Sequence, residues 1–81
     1  MLRESDRRKE LLDTYNKGDL SDFQVMDMMN NAICFLNMII PLIEKATTPM
    51  NNSDYASLLI MCDGDGKLER EITRLYNESQ N

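Results

Sequence analysis

The chain of 81 residues has no histidine and no tryptophan, and only two cysteines, two prolines and three glycines. Each shortage closes off some chemistry. Without histidine, the side chain that shuttles protons near neutral pH is missing, along with the commonest metal ligand. Two cysteines cannot fill the four positions of a structural zinc site. Cys34 and Cys62 both stand in apolar runs, the setting of buried thiols in a reducing compartment. A disulfide would need oxidising conditions. Val25 is the single valine, and no alternation of β-branched residues reads as a strand. The longest uncharged stretch, Met28–Ile43, is shorter than the roughly 20 residues of a membrane span and carries Asn30, Asn31, Asn37 and Pro41. The opening from Met1 to Glu10 is charged and lacks the apolar segment of a secretion signal. The expectation is one small cytoplasmic domain over residues 1–81, with no membrane partner.

Basic residues are also scarce: nine Lys and Arg stand against fourteen Asp and Glu, a net charge of −5. That balance opposes nucleic-acid binding, which depends on cations meeting phosphates. The hydrophobic fraction of 42% is enough to drive collapse, so the chain is not a disordered acidic tail. A domain this short buries only about 60% of its unfolded surface, too little for a deep catalytic pocket. The sequence contains no nucleophile–base pair, no phosphate-cradling glycine loop and no nucleotide fingerprint. It reads as a non-enzyme without cofactor or metal.

What is present is helical periodicity. A first helix is expected over Ser5–Tyr15, with a thin apolar stripe of Leu11, Leu12 and Tyr15, closed by Gly18. A second opens near Leu20, capped by Asp19 or Ser21. Its apolar residues recur every seven positions: Val25, Met26, Met28, Met29, then Ala32, Ile33, Phe35, Leu36, then Ile39, Ile40, Leu42, Ile43. Four apolar positions in seven span about twice the 100° arc of an ordinary surface helix. Pro41 is expected to kink this helix near Asn37–Pro41 or end its regular part. Thr47–Asn52 reads as a loop. A third helix is expected from Ser53, its N-cap, to about Glu78. Leu58, Met61, Leu68, Ile72 and Leu75 keep phase across Asp63-Gly64-Asp65-Gly66, which favours one continuous helix.

The predicted fold is therefore all-α, a three-helix hairpin-like bundle with an apolar central helix. Two neighbours cannot cover that helix, so a second chain is expected to complete it. A homodimer is the simplest closed arrangement. Met26, Met29, Ile33, Leu36, Ile40 and Ile43 are the candidate oligomer or partner interface, and methionine suits an adaptable surface.

Two other clusters draw attention. Asp63, Asp65, Gly66 and Leu68 fit part of a calcium loop, but that frame puts Met61 and Ile72 where carboxylates are needed. Asp63, Asp65 and Glu69 read instead as acids facing a basic partner. Arg3, Arg7, Arg8 and Lys9 form the basic cluster, interleaved with Glu4, Asp6 and Glu10 as on a solvated helix face. An alternative function uses them: an oligomeric nucleotide sponge, with Arg3, Arg7 or Arg8 on phosphate and Tyr15, Tyr55 or Tyr76 stacking on a base. A DNA-reading helix-turn-helix is opposed by the apolar second helix and the net charge.

The stretch Leu11-Leu12-Asp13-Thr14-Tyr15-Asn16-Lys17-Gly18-Asp19-Leu20-Ser21-Asp22, with the later run Leu58-Leu59-Ile60-Met61 before Arg70, resembles small helical accessory proteins encoded by bacteriophages. There a helix ends in Tyr-x-x-Gly, and a polar start leads into an apolar second helix. The resemblance implies a non-enzymatic protein in the host cytoplasm that inhibits or sequesters a host or defence macromolecule by protein–protein contact.

Overall fold

A computed structural model describes residues 3–15 and 20–80. Among them the chain is all-α, with five helices: α1 Glu4–Tyr15, α2 Asp22–Asn30, α3 Ala32–Lys45, α4 Asn52–Cys62 and α5 Gly66–Ser79. Three helices were expected, and both long ones prove to be broken in two. The expected caps at Gly18 and Asp19 lie outside the described residues.

The central helix breaks at Asn31 rather than at Pro41. Asn31 is extended, with φ −145 and ψ 118, and its side chain accepts a hydrogen bond from the Cys34 N–H. Asparagine competes for backbone partners in this way, which makes it a good N-cap and a poor helix interior residue. Pro41 sits inside α3, which runs on to Lys45. Pro41 and Asn37 are both exposed. Water can therefore meet the carbonyl that the missing proline N–H leaves free.

The third expected helix breaks at Asp63–Asp65. Asp63 and Gly64 both adopt positive φ, 49 and 85. Asp65 then caps α5, accepting from the backbone N–H groups of Lys67 and Leu68 at 3.1 and 3.2 Å. Retained apolar phase did not signal a continuous helix here. Two helices packed on the same core need the same phase whether or not a turn divides them. The N-cap of α4 is Asn51, not Ser53, and it accepts from the Asp54 N–H at 2.8 Å.

Breaking the two long helices multiplies the neighbours of the apolar one. α3 packs against α1, α2, α4 and α5. Its inner side gives Phe35, Leu36, Ile39 and Ile43 to a core completed by Leu11, Leu12, Tyr15, Met28, Leu58, Met61, Leu68, Ile72 and Leu75. Met50, in the α3–α4 loop, is buried there too. Its N–H donates to Ser79 Oγ and its carbonyl accepts from Gln80, which pins the loop to the end of α5. Among the described residues, no helix is long and apolar enough to cross a membrane.

Candidate interaction surface

The sequence pattern demanded cover for a helix apolar on two sides, and the fold supplies it on one. Leu36 and Ile43, expected at an interface between chains, lie in the chain's own core. Met29 and Ile40 are half-buried against that core. Met26 and Ile33 remain outside, 59% and 43% exposed.

α2 sets the outer surface. Its start is fixed by a capping box: Gln24 N–H donates to Ser21 Oγ at 3.2 Å, and Ser21 N–H to Gln24 Oε1 at 2.9 Å. Leu20 before the cap and Val25 in the next turn both pack on the core, the arrangement of a hydrophobic staple. This phase turns Val25, Met28 and Met29 inward and leaves Phe23, Met26 and Asn30 facing out, with Phe23 73% exposed. Phe23 was not among the residues picked out from the sequence. Its signal was an aromatic in the otherwise polar first turn, out of phase with the apolar repeat.

The surface continues past Asn31 onto α3. Ile33, Asn37 and Pro41, four residues apart, form an exposed row flanked by half-buried Cys34, Met38 and Ile40. An open groove between the two helices is lined by Asp27, Asn30, Asn31, Ile33, Cys34 and Asn37. No Lys or Arg occurs from Asp22 to Glu44, so the face carries little charge.

Two arginines of the basic cluster are turned inward, while Arg3 and Lys9 stay exposed. Arg7 reaches α4, with Nε donating to Ser57 Oγ at 2.9 Å and a terminal nitrogen to Asp54 at 2.8 Å. Tyr15 O–H donates to the other Asp54 oxygen at 3.0 Å. Burial, and then the hydrogen bond to Asp54, hold the Tyr15 phenol above its ordinary range. Arg8 is buried; it donates to Glu4 at 2.9 Å and to the carbonyl of Met29 at the end of α2. Arg3 is exposed, and its carbonyl accepts from the Arg7 N–H. Tyr55 and Tyr76 stack on each other at 4.2 Å. Arg7, Arg8 and all three tyrosines thus serve the fold, and the structure does not gather them into a phosphate and base site.

The acids expected to face a partner are placed around the second break. Asp63 and Asp65 are exposed and Glu69 is half-buried. Asp65 spends its side chain on the α5 cap. Beside them Cys62 is buried. Burial first, then the negative charges of Glu69 and Asp65, push its thiol up to about 11. Among the described residues, no group of three or more Cys, Asp or Glu side chains is placed to hold a metal ion.

No protein-family model matches the chain, and no curated protein or solved structure matches it either.

Proposed function

We propose that this protein is a small acidic binding protein, not an enzyme, that pairs with a second copy through the outward face of α2 and α3. It acts by occupying the surface of another macromolecule, of the host or of its defences as the phage resemblance implies. The observation that carries this reading is the exposure of Phe23 and Met26 on α2 and Ile33 on the adjoining α3, in a stretch from Asp22 to Glu44 without a basic residue. Single exposed apolar residues are ordinary, but three large ones on two helices packed together are a candidate contact surface. Two copies of net charge −5 repel, and they approach most easily where charge is least. Asp63, exposed in the turn between α4 and α5, and the half-buried Glu69 leave an acidic surface to orient a basic target.

Size-exclusion chromatography with light scattering tests the pairing. Without any unfolding step, the native chain is expected as a dimer and the double variant F23E/I33E as a folded monomer, since both sites are exposed. A native chain that stays monomeric across concentrations and binds no hydrophobic dye would overturn the reading. Affinity capture with the native chain and with F23E/I33E tests the target: retention by the native chain alone supports it.

A further inference from the structure

We propose that Asn31 is a hinge, and that the chain also forms an exchanged dimer in which α2 and α3 straighten into one helix. The α1–α2 unit of each copy then docks on α3, α4 and α5 of the other.

Four observations converge on this. First, the break is one residue long, and that residue is extended rather than left-handed, so entering a helix violates no steric rule. Second, the apolar seam runs through it. Val25, Met29, Ala32, Leu36, Ile39, Ile43 and Ala46 alternate spacings of four and three, so a straightened helix would still present them on one side to a docking surface. Third, two side chains stand in for backbone bonds that a straight helix would make. The Met29 carbonyl would accept from the Ile33 N–H, and instead takes Arg8. The Cys34 N–H would donate to the Asn30 carbonyl, and instead meets the Asn31 side chain. Fourth, the Arg8 clamp is imperfect. Arg8 Nε is buried with no hydrogen-bond partner, so the side chain that holds the Met29 carbonyl is itself incompletely satisfied.

A straight helix from Asp22 to Lys45 is about 36 Å long at 1.5 Å per residue. The molecule's longest extent is 33 Å. Straightening therefore carries α1 and α2 away from their own core, and a second copy offers the same docking surface. The α1–α4 contacts of Arg7 and Tyr15 with Asp54 are remade between chains. Short hinges favour such exchange.

The test is refolding from denaturant at low and high protein concentration, followed by chromatography with light scattering. The F23E/I33E chain is expected to give a dimer fraction that grows with refolding concentration and persists on dilution. N31A removes the cap and adds a strong helix former. It is expected to favour the straight form about fivefold per chain, hence about 25-fold in the dimer. A32P is expected to abolish the exchanged dimer and keep the helical circular dichroism. Proline fits the first position of α3 and the extended residue before it, whereas in a straight helix it would remove the residue-32 N–H bond to the Met28 carbonyl, crowd that carbonyl and disfavour a helical Asn31. N31G serves the same end, since glycine caps well and disfavours helix interior.

Differently tagged dimers separate exchange from the outer-face contact. Exchanged dimers mix only after unfolding, and F23E/I33E leaves them intact. In the F23E/I33E background, which lacks the outer-face contact, an N31A chain no more dimeric than its parent, an A32P or N31G dimer as abundant as the parent's, or tagged subunits that mix within minutes under native conditions would overturn the proposal.

Discussion

The two breaks in the helical pattern both keep the apolar phase and are held in different ways. At Asp63 and Gly64 two consecutive residues take positive φ, a conformation that no helix tolerates. At Asn31 one residue takes an extended conformation open to any side chain. The first break is written into the backbone. The second is maintained by neighbours: the Asn31 cap, Arg8 on the Met29 carbonyl, and Met28 in the core. A turn that stores its own conformation is permanent, whereas one that depends on packing can be undone.

The largest test of that contrast is Met28→Ala. Met28 is the one residue of α2 that is buried. Its truncation is expected to cost about 3 kcal/mol, with the loss confined mainly to α2. Hydrogen exchange should show α2 amides losing protection while α4 and α5 keep theirs. Equal loss on both sides of the Asp63 turn would mean that the two breaks are equally firm.

Asp54→Ala attacks the anchor of the movable half. Buried Asp54 receives both Arg7 and Tyr15, and so ties α1 to α4. Removing it orphans the Tyr15 hydroxyl, while Arg7, 23% exposed in its side chain, keeps Ser57 and water. The expected cost in urea denaturation is about 2 kcal/mol, below the value for a wholly buried pair. A change under about 0.5 kcal/mol, the range of ordinary surface substitutions, would show that packing alone holds α1.

Gly64→Ala tests the firmer break. Nothing lies within 4 Å of an added Cβ, so only the positive φ of 85 opposes the substitution. The expected loss is about 1 kcal/mol. A neutral result would mean that the left-handed turn is not what holds α4 and α5 apart.

Helical class, the acidic balance and the identity of most core residues were legible in the sequence, because apolar spacing reports which side of a helix faces inward. Leu58, Met61, Leu68, Ile72 and Leu75 were found that way and are all buried. The breaks were not legible, because phase survives a turn when both halves pack on one core. At Gly64 the signal was present and was outweighed by the phase. At Asn31 it was the Asn30-Asn31 pair in an apolar run, and the break there rests partly on tertiary contacts that no local pattern displays. The candidate surface was half legible. Met26 and Ile33 are exposed, but Leu36 and Ile43 seemed surplus only because three helices were counted in place of five. The arginines misled for a related reason: Arg7 finds Asp54 forty-seven residues away.

Each break carries its own cysteine, which gives the finest comparison. Cys34 lies in the first turn of α3, half-buried beside the groove, with its Sγ 3.7 Å from Met38 Sδ. Cys62 ends α4, buried, with its Sγ 3.3 Å from the Leu58 carbonyl. A thiol reagent is expected to label native Cys34 at least about tenfold faster than Cys62, because Cys62 must wait for the fold to open. The Cys62 thiol also titrates late, at about 11 against an ordinary value of 9. The folded state thus holds this proton more tightly than the unfolded chain. Its contribution to stability is full below pH 9 and declines as pH rises from about 9 to about 11. Tyr15 acts with the same sign above its ordinary value of 10. Cys62→Ala should therefore flatten the part of the decline that begins near pH 9, and Cys34→Ala should leave it unchanged. If the two substitutions flatten the profile equally, or Cys62 labels as fast as Cys34, the Asp63 turn opens as readily as the Asn31 hinge and the contrast between the breaks fails.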